Sequence, residues 1–378
     1  MTAALLSAAD IKALYAQGLA LVQSGHPDQA LPLFGRIIDA NPTVAEARWQ
    51  AAQILADDDQ FPRALENAAA AAQLRPAEPA VWITWADITA LDGRRASEKA
   101  FLEALKGAGI DAALRLRLQD RFGGHRTASR PETGGAPKAR LDRINALKDK
   151  GQFSSAQAEA AALLKTHPKS ALLANLVAAA LAAQGKTEQA LAGFLHATRL
   201  DPFYAEAFLN AGREQARLGQ AEAALRSYRA AIARAPGHEQ ALHAYVVLRN
   251  QASLPGRALP FAERLVAQHP KSVQGHIALG NTLTLLRDYA GAEAALAKAV
   301  TLSRGTSAEA LMLLAQAVSH LGRDDQALEF VDRALALKPD YMMALNRKAM
   351  ILQTLGRFDE ADPCLLYTSP SPRDRGNH

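Results

Sequence analysis

The sequence predicts an all-α protein built from a row of repeated helix pairs. The first observation is a period of about 34 residues, at which small residues and prolines recur in fixed positions. The second is composition, because 83 of the 378 residues are alanine, which favours closely packed helices. The third is that glycine and proline separate apolar segments of helical length.

Small residues mark the period most clearly. Alanine recurs once in each period. The exception is the longer interval from Ala64 to Ala156, which contains two periods and an insertion. The positions are Ala30, Ala64, Ala156, Ala190, Ala224, Ala258, Ala292, Ala327 and Ala361. A second row precedes the first at a constant offset, at Gly18, Ala52, Ala86, Ala178, Gly212, Gly280, Ala315 and Ala349. Since antiparallel helices approach closely only at small residues, the two rows predict where the helices of a pair cross.

Glycine and proline predict where the helices end. The glycines precede the recurring alanines at a constant offset, at Gly25, Gly151, Gly185, Gly219, Gly322 and Gly356. The prolines follow the same alanines at a constant offset, at Pro42, Pro76, Pro168, Pro202, Pro236, Pro270 and Pro339. Glycine closes the first helix in a left-handed cap, and proline ends the second because it has no backbone N–H to donate.

A repeated unit of this length and pattern resembles the tetratricopeptide repeat (TPR), a helix–turn–helix unit. The resemblance implies a right-handed α-solenoid, in which each repeat is numbered by slots 1 to 34. The predicted repeats are 11–44, 45–78, 79–112, 137–170, 171–204, 205–238, 239–272, 273–306, 308–341 and a broken one from 342. Repeat 79–112 lacks alanine and proline in their slots, and repeat 273–306 has Arg304 where proline is expected.

The repeats predict four segments. These are an N-terminal array at 1–112, a linker with a short helix at 113–136, a C-terminal array at 137–362 and a tail at 363–378. A flexible boundary is expected near 123–139, which is rich in glycine, proline, serine and threonine. The tail segment CLLYTSPSPRDRG resembles translated sequencing-adapter sequence. We therefore expect the tail to be non-native and the parent protein to be longer.

Charge and composition argue against nucleic-acid and membrane partners. The net charge is +5, and the densest basic stretch is Arg115, Arg117, Arg121, Arg126 and Arg130. We expect this stretch to be a solvated helix face that runs into the linker. The sequence has no apolar window long enough to span a membrane, and Cys364 is its single cysteine. The first ten residues have no basic or sustained apolar stretch, so we do not expect them to be a secretory signal. A cytoplasmic location is expected.

No catalytic, cofactor or metal site is predicted, and the chain as given is expected not to be an enzyme. Residues 180–187 fit a relaxed phosphate-loop pattern, but they end an Ala/Leu helix where a true phosphate loop would follow a strand. The ten histidines show no spacing typical of metal ligands. A nucleophile-elbow motif is also missing from the sequence.

The predicted function is protein–protein interaction, through binding of peptide segments in a concave groove. The resemblance implies that the first helix of each repeat lines this groove through slots 2, 5, 9, 12 and 13, with slot 6 in some families. The candidate peptide-binding residues are Asn175, Asn210, Arg213, Arg217, Asn250, Asn281 and Asn346. Their amide and guanidinium groups can hydrogen-bond a peptide backbone.

The two arginines lie with Asn210 on one helical stripe and favour an acidic or carboxylate-bearing peptide. The competing interpretation is that Glu206, Glu214 or Glu222 neutralises this patch as part of a solvated face.

A second function class stays open. In this second interpretation, the chain is the truncated N-terminal arm of a transferase. The arm presents substrate, and the catalytic domain is missing. The run from His167 to Gly212 resembles arrays that precede sulfotransferase domains in bacterial proteins, and similar arrays precede glycosyltransferase domains. No sulfonate-donor loop occurs in this sequence. A phosphate-cradling strand–loop–helix downstream in the uninterrupted gene would favour the transferase, and an early stop codon would exclude it.

Overall fold

A computed structural model describes residues 6–122 and 135–361 of the chain. The predicted tail at 363–378 and most of the predicted flexible boundary at 123–139 lie outside the described residues. Within the described ranges the regular secondary structure is helical, and strands are absent.

Twenty helices are complete within the described residues, and helical backbone begins again at 358–361. They are α1 (Ala8–Gln23), α2 (Pro27–Ala40), α3 (Ala45–Asp57), α4 (Phe61–Leu74), α5 (Pro79–Asp92), α6 (Arg95–Leu105), α7 (Ala112–Asp120), α8 (Lys138–Asp149), α9 (Phe153–Thr166), α10 (Ala171–Ala183), α11 (Thr187–Leu200), α12 (Ala205–Arg217), α13 (Ala221–Arg234), α14 (Glu239–Gln251), α15 (Pro255–Gln268), α16 (Val273–Leu285), α17 (Tyr289–Leu302), α18 (Ala308–His320), α19 (Asp324–Leu337) and α20 (Met342–Thr354).

Contacts between helices divide the chain into two compact units, residues 1–238 and 239–378. In the first unit, α10 packs on α11 and α12 packs on α13. In the second unit, α16 packs on α17 and α18 packs on α19. Each of these pairs is one predicted repeat, with a short turn between its helices. The predicted fold class, an all-α solenoid of helix pairs, is confirmed.

The two rows of small residues lie where the helices cross. Every alanine of the first row and every Gly or Ala of the second is buried. A Cβ atom added to Gly212 would lie 2.5 Å from the ring of Tyr228, which belongs to the second helix of the same repeat. The small slot therefore receives a bulky side chain of its own repeat, and the helices interlock.

The turns follow the predicted glycines and prolines. All six glycines adopt positive φ, between 71° at Gly151 and 83° at Gly25. Each second helix that precedes a recurring proline ends two residues before it, as α11 does at Leu200 before Pro202. Repeat 273–306 makes its turn without proline, because Arg304 and Gly305 take positive φ, and the Gly305 amide donates to the Val300 carbonyl at 2.8 Å.

The first unit also joins repeats that are distant in sequence, since α13 packs on α5. The prediction of a solvated basic face is wrong for Arg121, whose side chain is 4% exposed and whose Nη1 lies 2.6 Å from Asp87 Oδ1. Arg117, one turn earlier, pairs with the buried Asp201 at 2.7 Å. The charge pattern could not reveal these partners because they lie in other repeats. Arg126 and Arg130 lie outside the described residues.

Candidate peptide-binding groove

Two first helices of the first unit carry four of the predicted residues. Asn175 lies on α10, while Asn210, Arg213 and Arg217 lie on α12 at steps of three and four residues. Helix α10 begins where the Ser170 hydroxyl accepts a hydrogen bond from the Leu173 amide at 3.2 Å. Because residues three and four positions apart lie on the same side of a helix, Asn210, Arg213 and Arg217 form one stripe on α12.

Hydrogen bonds join these side chains into a row that runs from one repeat to the next. Asn210 Nδ2 donates to Asn175 Oδ1 at 3.2 Å, and Arg213 Nη1 donates to Asn210 Oδ1 at 3.3 Å. Asn175 Nδ2 donates in turn to Tyr204 Oη at 3.1 Å. Asn175 and Tyr204 are buried, whereas Arg213 is exposed at the other end. We call Tyr204, Asn175, Asn210 and Arg213 the amide row.

Carboxylates lie close to both arginines of α12. Arg217 Nη1 lies 3.1 Å from Oε1 of Glu214, whose side chain is only 4% exposed. Glu206 Oε2 lies 3.1 Å from His238 Nε2. The hydrogen bond to His238 holds the pKa of the Glu206 carboxyl below its usual value, and the charges of His238 and Arg213 act in the same direction. The patch is thus a set of neighbouring opposite charges, in which both arginines are exposed.

Tyr204 belongs to the site although sequence reasoning did not select it. It occupies slot 34, the last residue of its repeat, immediately before α12. Burial raises the pKa of its hydroxyl, with the nearby carboxylates of Glu206 and Asp201 contributing, so the group stays neutral. Tyr341 occupies the same slot of repeat 308–341. An aromatic residue shared at slot 34 is the signal that could have found it.

The second unit holds the other predicted residues. Asn250 of α14 is buried, and its Nδ2 donates to Thr282 Oγ1 of α16 at 2.9 Å. Asn281 is half-buried on α16 and lines, with Asn250, a cleft of about 470 Å³. The cleft wall also includes His243, Gln274, Ile277, Glu309 and Leu313. Asn346 is exposed on α20 and is not among the residues that line this cleft.

The described residues show two further findings about sites. In residues 6–122 and 135–361, groups of three or more His, Cys, Asp or Glu side chains placed to hold a metal ion are absent. Across the same ranges, none of the helices is both long and apolar enough to cross a membrane. Gly185 lies in the turn between α10 and α11 with φ +76°, so the phosphate-loop pattern falls on a helix–turn–helix.

Comparison with known proteins identifies the repeats. Profiles described as tetratricopeptide repeat match residues 15–79, 141–205 and 251–307 in one case, 283–345 in a second and 205–238 in a third. Together they cover more than half of the chain. The matched segments fall on the helix pairs described above.

Individual proteins show the same likeness. A human protein, O-mannosyl-transferase TMTC3, is 29% identical over 238 residues, which is 57% of this chain and 26% of that protein. The chain thus spans about a quarter of the length of this curated relative.

Among solved structures, the anaphase-promoting complex hetero-tetramer Cut9–Hcn1 is 15% identical with a TM-score of 0.51, covering 94% of this chain and 79% of that one. YrrB, described as a TPR protein with an unusual peptide-binding site, is 21% identical with a TM-score of 0.44, covering 50% of this chain and 97% of that one. The chain belongs to the tetratricopeptide repeat family, whose helix pairs typically form non-catalytic scaffolds for protein–protein interaction.

Proposed function

We propose that this chain is a scaffold that binds an extended peptide segment of a protein partner against the first helices of its repeats. The observation that carries the proposal is the amide row. Its buried end is fixed by the Asn175–Tyr204 hydrogen bond, and its exposed end presents a guanidinium. A pre-organised polar row loses less conformational entropy on binding than independent side chains would.

The polar groups match a peptide with a carboxylate. The Arg213 guanidinium carries N–H donors in a fork that suits a carboxylate, and Asn210 Oδ1, which accepts from Arg213, has a second lone pair that can accept from a peptide N–H. Arg217 lies on the same stripe and pairs with Glu214. Acidic or carboxylate-bearing peptide is therefore the proposed partner class at α12.

In the second unit we propose the cleft at Asn250 and Asn281 as a further contact region. Its lining combines amides with Ile277 and Leu313, so polar and apolar side chains of a peptide can both be accommodated. Asn346 is proposed as a separate contact on the exposed surface of α20. We also propose the division of the chain into arrays at 1–112 and 137–362, a linker at 113–136 and a non-native tail at 363–378.

The first experiment compares Arg213→Ala with wild type and with Arg199→Ala, a control that removes an exposed arginine of α11. We expect Arg213→Ala to retain less partner protein from a lysate of the source, with a larger loss at low salt than at high salt. Arg199→Ala should retain the wild-type set. Identical retained proteins from all three would remove Arg213 from the site.

Arg217→Ala needs a stability measurement beside the pull-down. Its removal leaves the buried Glu214 carboxylate without its cation, which lowers the free energy of unfolding. Weaker partner binding by the Arg217→Ala variant is therefore assigned to the binding site only at a temperature where its circular dichroism spectrum matches that of wild type.

The likeness to a human O-mannosyl-transferase favours a second candidate, in which this array is one part of a longer transferase and presents substrate to a catalytic domain. The test is to determine the sequence of the uninterrupted gene beyond the codon for residue 361. A catalytic domain downstream, glycosyltransferase or sulfotransferase, would support this candidate. A stop codon soon after the last repeat would exclude it.

A further inference from the structure

Within the first unit, α13 lies across the first helices of the N-terminal repeats. The surface it covers is formed by Gln53, Ala56 and Asp57 of α3 and Thr84, Asp87, Ile88 and Leu91 of α5, which we call the N-terminal groove. Five of these seven residues occupy slots 9, 12 and 13, three of the slots expected to line a peptide groove. The surface of this array that would take a partner is thus in contact with a helix of the same chain.

The face of α13 toward the groove is a stripe of arginine and alanine. Its members at the contact are Arg226, Arg229, Ala230, Ala233 and Arg234. They lie at steps of three or four residues and so form one face of the helix. A different face of α13, with Ala224 and Tyr228, packs against α12 within its own repeat. Helix α13 therefore keeps its place in its repeat whether or not the N-terminal groove covers it.

Opposite charges meet across this contact. Arg229 Nη1 lies 2.7 Å from Asp59 Oδ1, and Arg229 Nη2 donates to the Ala56 carbonyl at the end of α3. Arg229 is 7% exposed, so the pair is well shielded from water. Shielded charge pairs of this kind select a partner by its charge pattern, because a partner without the arginine leaves the carboxylate desolvated.

A second pair lies further along α13. Arg234 Nη1 lies 3.4 Å from Asp87 Oδ2, and Arg121 Nη1 lies 2.6 Å from the other oxygen of the same carboxylate. Arg121 Nη1 also lies 3.4 Å from the Ala233 carbonyl of α13. The Asp87 carboxylate thus pairs with one arginine from the predicted linker and one from α13.

The contact combines ion pairs with apolar side chains such as Ile88 and Leu91, and it is incompletely packed, unlike the interior of a repeat. A cavity of about 300 Å³ stays between α13 and the groove. The lining from α13 consists of the three arginines and two alanines of the stripe. A surface held by ion pairs around a cavity separates more readily than an apolar core, since water solvates both sides after separation.

We infer that the N-terminal groove is a binding site for an alanine-rich helix with a stripe of arginines, that α13 occupies it in cis, and that an external helix of this kind binds by displacing α13. The groove is acidic through Asp57 and Asp87, and Asp59 lies beside it, so its charge is opposite in sign to the arginine stripe, although Arg121 also pairs with Asp87. The inference is independent of the proposed peptide contacts at Asn175, Asn210 and the second unit.

The test uses the full chain and a labelled peptide of residues 221–234, AEAALRSYRAAIAR. Arg229→Ala with Arg234→Ala weakens the cis contact and leaves the groove carboxylates intact. We expect this double variant to bind the peptide at least about tenfold more tightly than wild type. Adding Asp59→Asn and Asp87→Asn should abolish the binding, because the peptide arginines then lack their partners. Arg199→Ala is the control and should bind like wild type.

A second measurement reports opening directly. With Cys364 replaced by serine, a cysteine at Ala56 lies in the covered groove, and a cysteine at Ala64 lies in a repeat core. Alkylation of Ala56→Cys should be several-fold faster in the Arg229→Ala/Arg234→Ala background, while Ala64→Cys stays protected. If the peptide binds no more tightly to the double variant, or Ala56→Cys reacts no faster in it, α13 is a fixed part of the fold and the inference is wrong.

Discussion

At the scale of single residues, glycines in first helices are matched to bulky side chains of the second helix. Added Cβ atoms would lie 2.8 Å from Phe34 at Gly18, 2.5 Å from Tyr228 at Gly212 and 2.4 Å from Leu296 at Gly280. Real Cβ atoms do not approach other atoms that closely. Each glycine is therefore required so that the two helices can pack closely, and not because the backbone must be flexible there.

We expect Gly212→Ala to lower the free energy of unfolding by about 1–2 kcal/mol, because overpacking outweighs the gain in helix propensity. The matched control is Gly35→Ala within α2, where an added Cβ would meet nothing within 4 Å. That change should raise the free energy of unfolding by about 0.5–1 kcal/mol. Urea denaturation measures both, and an equal effect of the two substitutions would contradict the crossing argument.

The Glu206 carboxylate gives a pH-dependent contribution. Its hydrogen bond to His238 holds its pKa in the folded chain below the ordinary value of 4.5. A carboxylate with a depressed pKa stabilises the folded state above its unfolded pKa, and the contribution is lost as pH falls through the folded pKa.

Thermal unfolding should therefore show Glu206→Gln less stable than wild type near about pH 7, with the gap closing as the pH falls below the unfolded pKa. Glu222→Gln, at an exposed position of α13, is the matched control and should follow wild type throughout. A Glu206→Gln gap that widens in acid would refute this account.

At the scale of elements, three repeats without glycine at slot 15 still make the left-handed turn. Asp59, Ser253 and Arg287 occupy that slot with φ between 59° and 63°. A side chain with a Cβ pays a conformational cost in this region that glycine avoids. The turn geometry is thus imposed by the packing of the two helices and not by the residue in the turn.

Arg287→Gly should accordingly raise the free energy of unfolding by roughly 0.5–1 kcal/mol, after the larger entropy of the unfolded glycine chain is counted. Gly219→Ala, at φ +73°, should lower it by about 1 kcal/mol. Chemical denaturation of both variants checks the pair. Shifts of the same sign would contradict the conformational cost that we assign to a side chain at slot 15.

The helices and turns could be predicted from the sequence because each depends on residues within about one repeat. Gly212, Pro202 and Ala224 act on neighbours that the repeat period locates. The contact of α13 with the N-terminal groove could not be predicted, since Arg229 and Asp59 are 170 residues apart and occupy different slots of their repeats. For the amide row, the slots of Asn175, Asn210 and Arg213 could be predicted, and the aromatic residue at slot 34 could have indicated Tyr204. The hydrogen bonds between these side chains are seen only in the structure.

At the scale of the whole molecule, the α13 contact changes what proteolysis should yield. The segment 123–139 is rich in glycine, proline, serine and threonine, and we expect mild proteolysis to cut there. The two fragments should still elute together on gel filtration at low salt, because Arg229 and Arg234 belong to one fragment and Asp59 and Asp87 to the other. They should separate when Arg229→Ala and Arg234→Ala are introduced, because the ion pairs that join the fragments are then lost. Separation at low salt, or cleavage within 171–300, would contradict this expectation.

The distance in sequence between α5 and α13 also sets an order of events during synthesis. The N-terminal groove is complete once α5 has emerged at Asp92, whereas α13 ends only at Arg234. At about 5–20 residues per second, the ribosome needs roughly 7–30 s to make the stretch between these two ends. During this interval the acidic groove is not covered by α13. A basic helix of another protein can therefore bind the groove on the nascent chain before α13 has been made.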